Sequence, residues 1–298
     1  MSNLFRAFFF KLKKDLTFRI ALIIGIAMAI FMTLAFLIID IMGWVGSDEP
    51  FKATYCAGQN LLINTLNPAQ NFGLVVPILL TVFTVAEYNN GIIRNKIIAG
   101  NSKTKIYFSI LLSSLVFTFC LVTAYIGLCV ALSSMIGGFN VNGHIFSTSN
   151  VISAISTLIG NTHTNGEFYL KLIITGVLVY IFVTAMTVFF ATLFRSMGPC
   201  IPIVIVLLII MSSETMIANV WAMSADEQDH VADIMVMLSR WFNPLFGLDS
   251  YGTKQIAEQE AVYVIENEHF MIHAASNFLY ITAFTLGGWA IFRKRDVK

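Results

Sequence analysis

Few side chains in this sequence are placed to do chemistry. The one histidine pair at helical spacing is His269 and His273, which would share a helix face with Glu266 one turn earlier. Two ligands and a possible third are a poor zinc site without a His-Glu-x-x-His pattern or a cysteine pair, so these residues read better as interfacial histidines at the mouth of a span. Ser102 and Lys105 match the Ser-x-x-Lys of acylating enzymes by letter only, in a basic loop. There is no Gly-x-x-x-x-Gly-Lys-Ser/Thr and no Gly-Lys pair at all. A P-loop phosphate cradle is therefore excluded: the chain itself is expected not to be an enzyme and to carry no cofactor, and any ATP must be hydrolysed elsewhere.

Charges within apolar segments are the remaining candidates, since each costs at least about 2.5–3.5 kcal/mol at the bilayer centre and usually marks function there. Asp40 and Lys171 lie near segment ends, and Arg19 lies where it can snorkel. Glu214 follows Pro199 by about 22 Å of helix, at 1.5 Å per residue, which brings it to a boundary and favours a rim or structural role. No midplane charge remains. With only Pro77, Pro199 and Pro202 hinting at broken helices, ion-coupled secondary transport is disfavoured.

The elements that must position these residues follow from composition. Of 298 residues, 57% are hydrophobic and 12% charged, about half the roughly 25% of a soluble domain. Apolar runs of bilayer length recur, continuous rather than alternating, which predicts an all-α polytopic membrane protein and excludes a transmembrane barrel. Six spans are expected, at 18–42, 71–88, 106–136, 170–194, 199–219 and 271–292, within a single domain covering 1–298. The first is too long for a signal-peptide core and reads as a retained helix. Cys120, Cys129 and Cys200 fall in spans, leaving Cys56 alone in a loop, so an internal disulfide is not expected.

A net charge of +1 argues neither for nucleic acid nor for an acidic partner, and no nucleic-acid partner is expected. The placement of charge says more. With the N-terminus cytoplasmic, every one of the 18 basic residues except Lys52, Lys171, Arg240 and Lys254 falls on the inner side, against only Asp15, Glu87 and Asp296 of the 17 acids. The positive-inside rule thus puts both termini in the cytoplasm. Before the first span, Phe5, Phe8, Phe9 and Leu12 share one helical face, with Arg6, Lys11, Lys13 and Lys14 off it, the pattern of an amphipathic helix lying in the membrane surface. A plain basic flank is the simpler alternative.

Three outer segments follow, at 43–70, 137–169 and 220–270. The last carries Met237, Leu238, Trp241 and Phe242 ahead of Asn243-Pro244. That apolar stretch is too short to span, and it reads either as a helical dip into the outer leaflet stopped by Pro244 or as a surface helix packed on the span tops.

The loop between the second and third spans reads Glu87-Tyr88-Asn89-Asn90-Gly91-Ile92-Ile93-Arg94-Asn95-Lys96-Ile97-Ile98-Ala99-Gly100-Asn101-Ser102-Lys103. It resembles the corresponding loop of ABC-2 type permeases, the membrane subunits of ATP-binding cassette exporters, with Glu87, Gly91, Gly100 and Ser102 in register. The likeness extends to the in-plane helix, the six-span layout, the short dip before the last span and the Phe292-Arg293-Lys294-Arg295-Asp296 ending. Ile92 stands where that family usually has Thr, Lys103 where it has Arg, and Ile110 near a customary lysine.

The resemblance implies a coupling helix that docks on a cytoplasmic P-loop ATPase, two copies of which carry the ATP and Mg, beneath a dimer with a second permease copy or paralogue. In such a helix Gly91 permits a tight bend, Ile92, Ile93, Ile97 and Ile98 supply apolar contact, and Arg94, Lys96, Lys103 and Lys105 meet acidic groups or lipid headgroups. Glu87 can pair with a nearby base. The expected function is export of a hydrophobic or amphipathic peptide or a lipophilic antimicrobial across a bacterial cytoplasmic membrane. The alternatives are a sensor or immunity protein binding a ligand through 220–270, and a membrane-embedded enzyme, for which no polar cluster at membrane depth is visible.

Overall fold

In hydrocarbon the backbone has no water to bond, so an apolar run satisfies its amides within itself and becomes helical. The computed structural model describes residues 15–45, 55–68, 71–137, 165–224, 230–248, 252–257 and 260–295. They form helices α1 (Leu16–Trp44), α2 (Gly58–Leu66), α3 (Val75–Asn89, after a 3-10 turn at Asn71–Leu74), α4 (Ile92–Ile98), α5 (Lys103–Gly137), α6 (Asn165–Phe194), α7 (Met197–Ser224), α8 (His230–Phe242) and α9 (Asn267–Lys294). A small antiparallel hairpin, β1 (Gly252–Ala257) with β2 (Glu260–Val264), precedes α9. The expected in-plane helix, with Phe5, Phe8, Phe9 and Leu12, lies outside the described residues.

Five helices, α1, α5, α6, α7 and α9, are long and apolar enough to cross a membrane, and the chain is a helical membrane protein. The segment expected to span at 71–88 differs. The 15 residues of α3 rise about 22 Å, short of the roughly 30 Å hydrocarbon core, and reach span length either with the preceding 3-10 turn at about 2 Å per residue or together with α4 across a 49° bend.

The centre of the bundle is α6, two thirds of whose apolar window is buried, against a sixth for α1 and α9. Its threonines make that possible. Thr175, Thr184, Thr187 and Thr192 each donate to the carbonyl four residues back at 2.7–2.9 Å, so their hydroxyls enter the core already satisfied. Thr184 also reaches Thr118 of α5 at 3.0 Å, and Thr192 meets Tyr88 of α3 at 3.0 Å. Phe182 and Phe189 of α6 set their rings against Phe284 of α9 at 5.9 and 5.3 Å, the first tilted and the second edge to face.

Helix α1 is peripheral. It buries a seam of Ala21, Gly25, Ala29 and Thr33, four residues apart, and leaves Ile23, Phe31 and Ile38 exposed as a lipid-facing side suits. Its Asp40 is the element's one buried acid, and it accepts from the backbone amides of Tyr55 at 2.9 Å and Cys56 at 2.7 Å. Those two bonds pin the approach to α2, an unanticipated short helix whose Leu61, Leu62 and Leu66 are buried. The signal was present as Leu61-Leu62-Ile63 inside a segment read only as an outer loop.

Cys56 is fully buried beside Asp40. Burial first, and the Asp40 carboxylate second, push its thiol from 9.0 up to about 11. The raised value means the proton is held through the range in which a free thiol ionises, so at pH 8 only about one thiol in a thousand is thiolate. Cys56 is accordingly expected to resist maleimide at pH 8 in the native chain and to react in Asp40→Ala, where the loop loses its anchor. Equal labelling of both, read by mass spectrometry, would overturn this placement.

Candidate functional site

The elbow between α3 and α5 is built by two glycines. Gly91 takes φ +67° and ψ 9°, the left-handed conformation that closes α3 and opens α4 in one residue. Gly100, at φ +82°, closes α4 in the same way. Its amide donates to the Ile97 carbonyl at 2.9 Å while that of Asn101 reaches Lys96 at 3.3 Å, the paired bonds of a Schellman stop. The Ser102 hydroxyl then accepts from the Lys105 amide at 3.4 Å at the start of α5. The Ser102 side chain thus serves as a cap at the start of α5.

The short helix between the glycines is anchored on one side. The Lys96 ammonium sits 3.0 Å from the Glu87 carboxylate, itself only 2% exposed, so an ion pair ties α4 across the bend to α3. Ile93 is buried with Ile106, Tyr107, Ile110, Val188 and Phe292, and Ile97 packs on the same cluster. The face left outside holds Arg94, Asn95 and Ile98, the last 73% exposed, with Ile92 half-buried at its edge. The isoleucines expected to form one contact face are thus divided: Ile93 and Ile97 serve the chain's own core, because a seven-residue helix has too little surface to stay in place without an inner side.

Lys103 is likewise engaged within the chain. Its ammonium donates to the carbonyls of Arg293 at 3.3 Å and Arg295 at 3.0 Å, where α9 ends and its carbonyls lack partners. Arg295 donates in turn to the Leu193 carbonyl near the end of α6. Trp289 of α9 donates to the Thr104 hydroxyl at 3.2 Å, with Arg293 stacked over its ring. The basic residues here therefore cap helix ends as well as charging the surface.

The opposite end of the bundle holds the other candidates. Lys171 is buried and bonds the Ile265 carbonyl at 2.9 Å and Glu167 at 2.6 Å, joining α6 to the end of the hairpin. His269 lies 3.8 Å from Glu266, while His273 is buried with its ring 5.8 Å from that of Phe246. Among the described residues no three His, Cys, Asp or Glu side chains gather as metal ligands.

Helix α8 presents Ile234, Met237, Leu238, Trp241 and Phe242 outward, an apolar stripe at helical spacing. The helix ends at Phe242, two residues before Pro244, which is buried. What holds it is polar. Ser276 of α9 donates to the Trp241 carbonyl at 2.8 Å, Tyr280 to Phe242 at 2.9 Å and Asn277 to Pro244 at 3.1 Å, satisfying the carbonyls that a helix end leaves open. On the other side Asn243 donates to the Met211 carbonyl at 2.6 Å, the Thr215 hydroxyl at 2.8 Å and the Glu214 carboxylate, to which Ser239 also donates. Trp241, Phe242, Asn243-Pro244 and Glu214 stood out in the sequence, but Ser239, Ser276, Asn277 and Tyr280 did not, since single Asn, Ser and Tyr residues have no periodicity to betray a partner.

No family model, curated protein or solved structure matches the chain.

Proposed function

We propose that this chain is the permease subunit of an ABC-2 type exporter, in which α4 is the coupling helix and Ile98, Arg94 and the edge of Ile92 meet a cytoplasmic P-loop ATPase. The observation that carries the reading is the elbow: a short helix bracketed by two left-handed glycines, braced from within by Glu87–Lys96 and Ile93, with a mixed apolar and basic face turned outward. A brace of this kind transmits displacement, because the helix cannot move without α3 and α5. In this reading α3 with its preceding turn is the second of six spans, the elbow end is cytoplasmic, and α8 dips into the outer leaflet of a bacterial plasma membrane. Two such chains, identical or paralogous, stand over two ATPase subunits that hold ATP and Mg. Nucleotide-driven closure of the ATPase pair draws the elbows together and biases the spans between two access states. Spans so poor in charge favour a hydrophobic or amphipathic cargo.

The test is purification of the tagged chain in mild detergent with its native neighbours. A P-loop ATPase is expected to co-purify, and Ile98→Asp is expected to weaken its capture at least tenfold, about 1.4 kcal/mol, by placing a carboxylate in a desolvated contact. Ile98 is the residue to change because it is exposed, so the fold survives, whereas changing Ile97 would damage the chain's own core. Absence of any ATPase from crosslinked membranes would sink the proposal and favour a sensor.

A further inference from the structure

A groove of about 440 Å³ runs between α7 and α8 at the end of the bundle away from the elbow. Ile209, Ile210 and Ile217 form its apolar wall, and Ser213, Glu214 and Ser239 supply its polar atoms. The three isoleucines are also among the exposed apolar residues of α7, so in a membrane protein the groove opens sideways to lipid. Its size is that of a pocket for a drug-sized molecule.

A carboxylate in such a wall is expensive to keep. Glu214 is held in place by two neutral donors, the Ser239 hydroxyl on Oε1 and the Asn243 amide on Oε2. Each carboxylate oxygen can accept a second hydrogen bond, so the group retains acceptor capacity as well as its charge. Arg240, the nearest base along α8, is not on the groove wall. The site therefore pairs a positioned anion with an apolar trough that opens to lipid, where a charge-assisted bond is stronger than in water.

We propose that this groove binds an amphipathic monocation, a primary amine carried on an apolar body, with the ammonium on Glu214 and the body along Ile209, Ile210 and Ile217. A zwitterionic phospholipid fits less well because its phosphate would follow its amine to the same carboxylate. Binding here is a property of this chain alone and does not depend on an ATPase partner.

The experiment uses the full chain in phosphatidylcholine nanodiscs, photolabelled with diazirine-tagged dodecylamine and with the matching alcohol. The amine is expected to label the 209–218 stretch saturably and to be displaced by untagged dodecylamine but not by dodecanol. Glu214→Gln should reduce saturable labelling about tenfold or more, the loss of one charge-assisted bond. Ile210 is a wall residue and not a hydrogen-bond partner of Glu214, so Ile210→Trp fills the trough while keeping the carboxylate and should abolish the labelling, which keeps the test decisive if Glu214→Gln fails to fold. Equal labelling by amine and alcohol, survival of labelling in Ile210→Trp, or displacement by phosphatidylethanolamine would each overturn the assignment. Because ATPase capture is measured separately on Ile98→Asp, either proposal can fail without the other.

Discussion

Asn243→Leu is expected to undo the docking of α8, destabilising the chain by about 3 kcal/mol, at roughly 1 kcal/mol net for each of the two amide N–H groups, shared among three acceptors, and for the carbonyl oxygen. The amide of Asn243 donates to α7 at the Met211 carbonyl, the Thr215 hydroxyl and the Glu214 carboxylate, and its carbonyl oxygen accepts from the Leu245 amide at 3.0 Å. Leucine matches the size but supplies none of these, and it leaves Glu214 with Ser239 alone. The checking measurement is the thermal unfolding midpoint in detergent, beside Ser276→Ala, which loses one bond and should cost about 1 kcal/mol. If Asn243→Leu melted no lower than Ser276→Ala, the view of Asn243 as the hub of this corner would be wrong.

The second large effect is steric. A Cβ on Gly288 of α9 would lie 2.4 Å from the Tyr107 hydroxyl and 3.1 Å from the ring carbon bearing it. Tyr107 is fully buried and its hydroxyl donates to the Thr285 carbonyl at 3.1 Å, so it cannot simply swing away. Gly288→Ala should therefore cost about 1–3 kcal/mol by overpacking the cluster that also seats Ile93 of the elbow. Tyr107→Phe removes the closest atom, and the double variant should be more stable than the sum of the two single changes predicts. Strict additivity in that cycle would mean that the two residues do not oppose each other, contrary to their separation here.

How far the sequence foretold this arrangement depends on the kind of feature. Gly91 was legible as a bend, because only glycine enters the left-handed region at little cost, whereas Gly100 stood out by its register alone and its closing of α4 came from the structure. The pairing of Glu87 was legible as a need, since a carboxylate at a span end wants a base, although Lys96 as its partner was not. The split of the isoleucines was invisible: a run such as Ile92-Ile93 with Ile97-Ile98 shows that one side is apolar without saying how much of it the chain keeps for itself. Asp40, read as a charge near a boundary, is a backbone clamp for a helix the pattern did not announce, because α2 has nine residues and its burial comes from α5 and α6 beside it.

By itself the sequence determined that this protein is helical and lives in a membrane, since length and apolarity act residue by residue along one chain and a bilayer accepts few solutions. It also set where five of the helices run. Which helix stands at the centre was decided only in three dimensions. The apolar runs of α5 and α6 look alike in order, yet one third of the first and two thirds of the second is buried, because lipid and protein interior are equally apolar solvents and only packing tells them apart. The same holds for the docking of α8 and for Lys103, whose partners lie far away in sequence. A hydrogen bond between distant segments leaves no period to read, and the groove beside Glu214 exists only once those bonds are made.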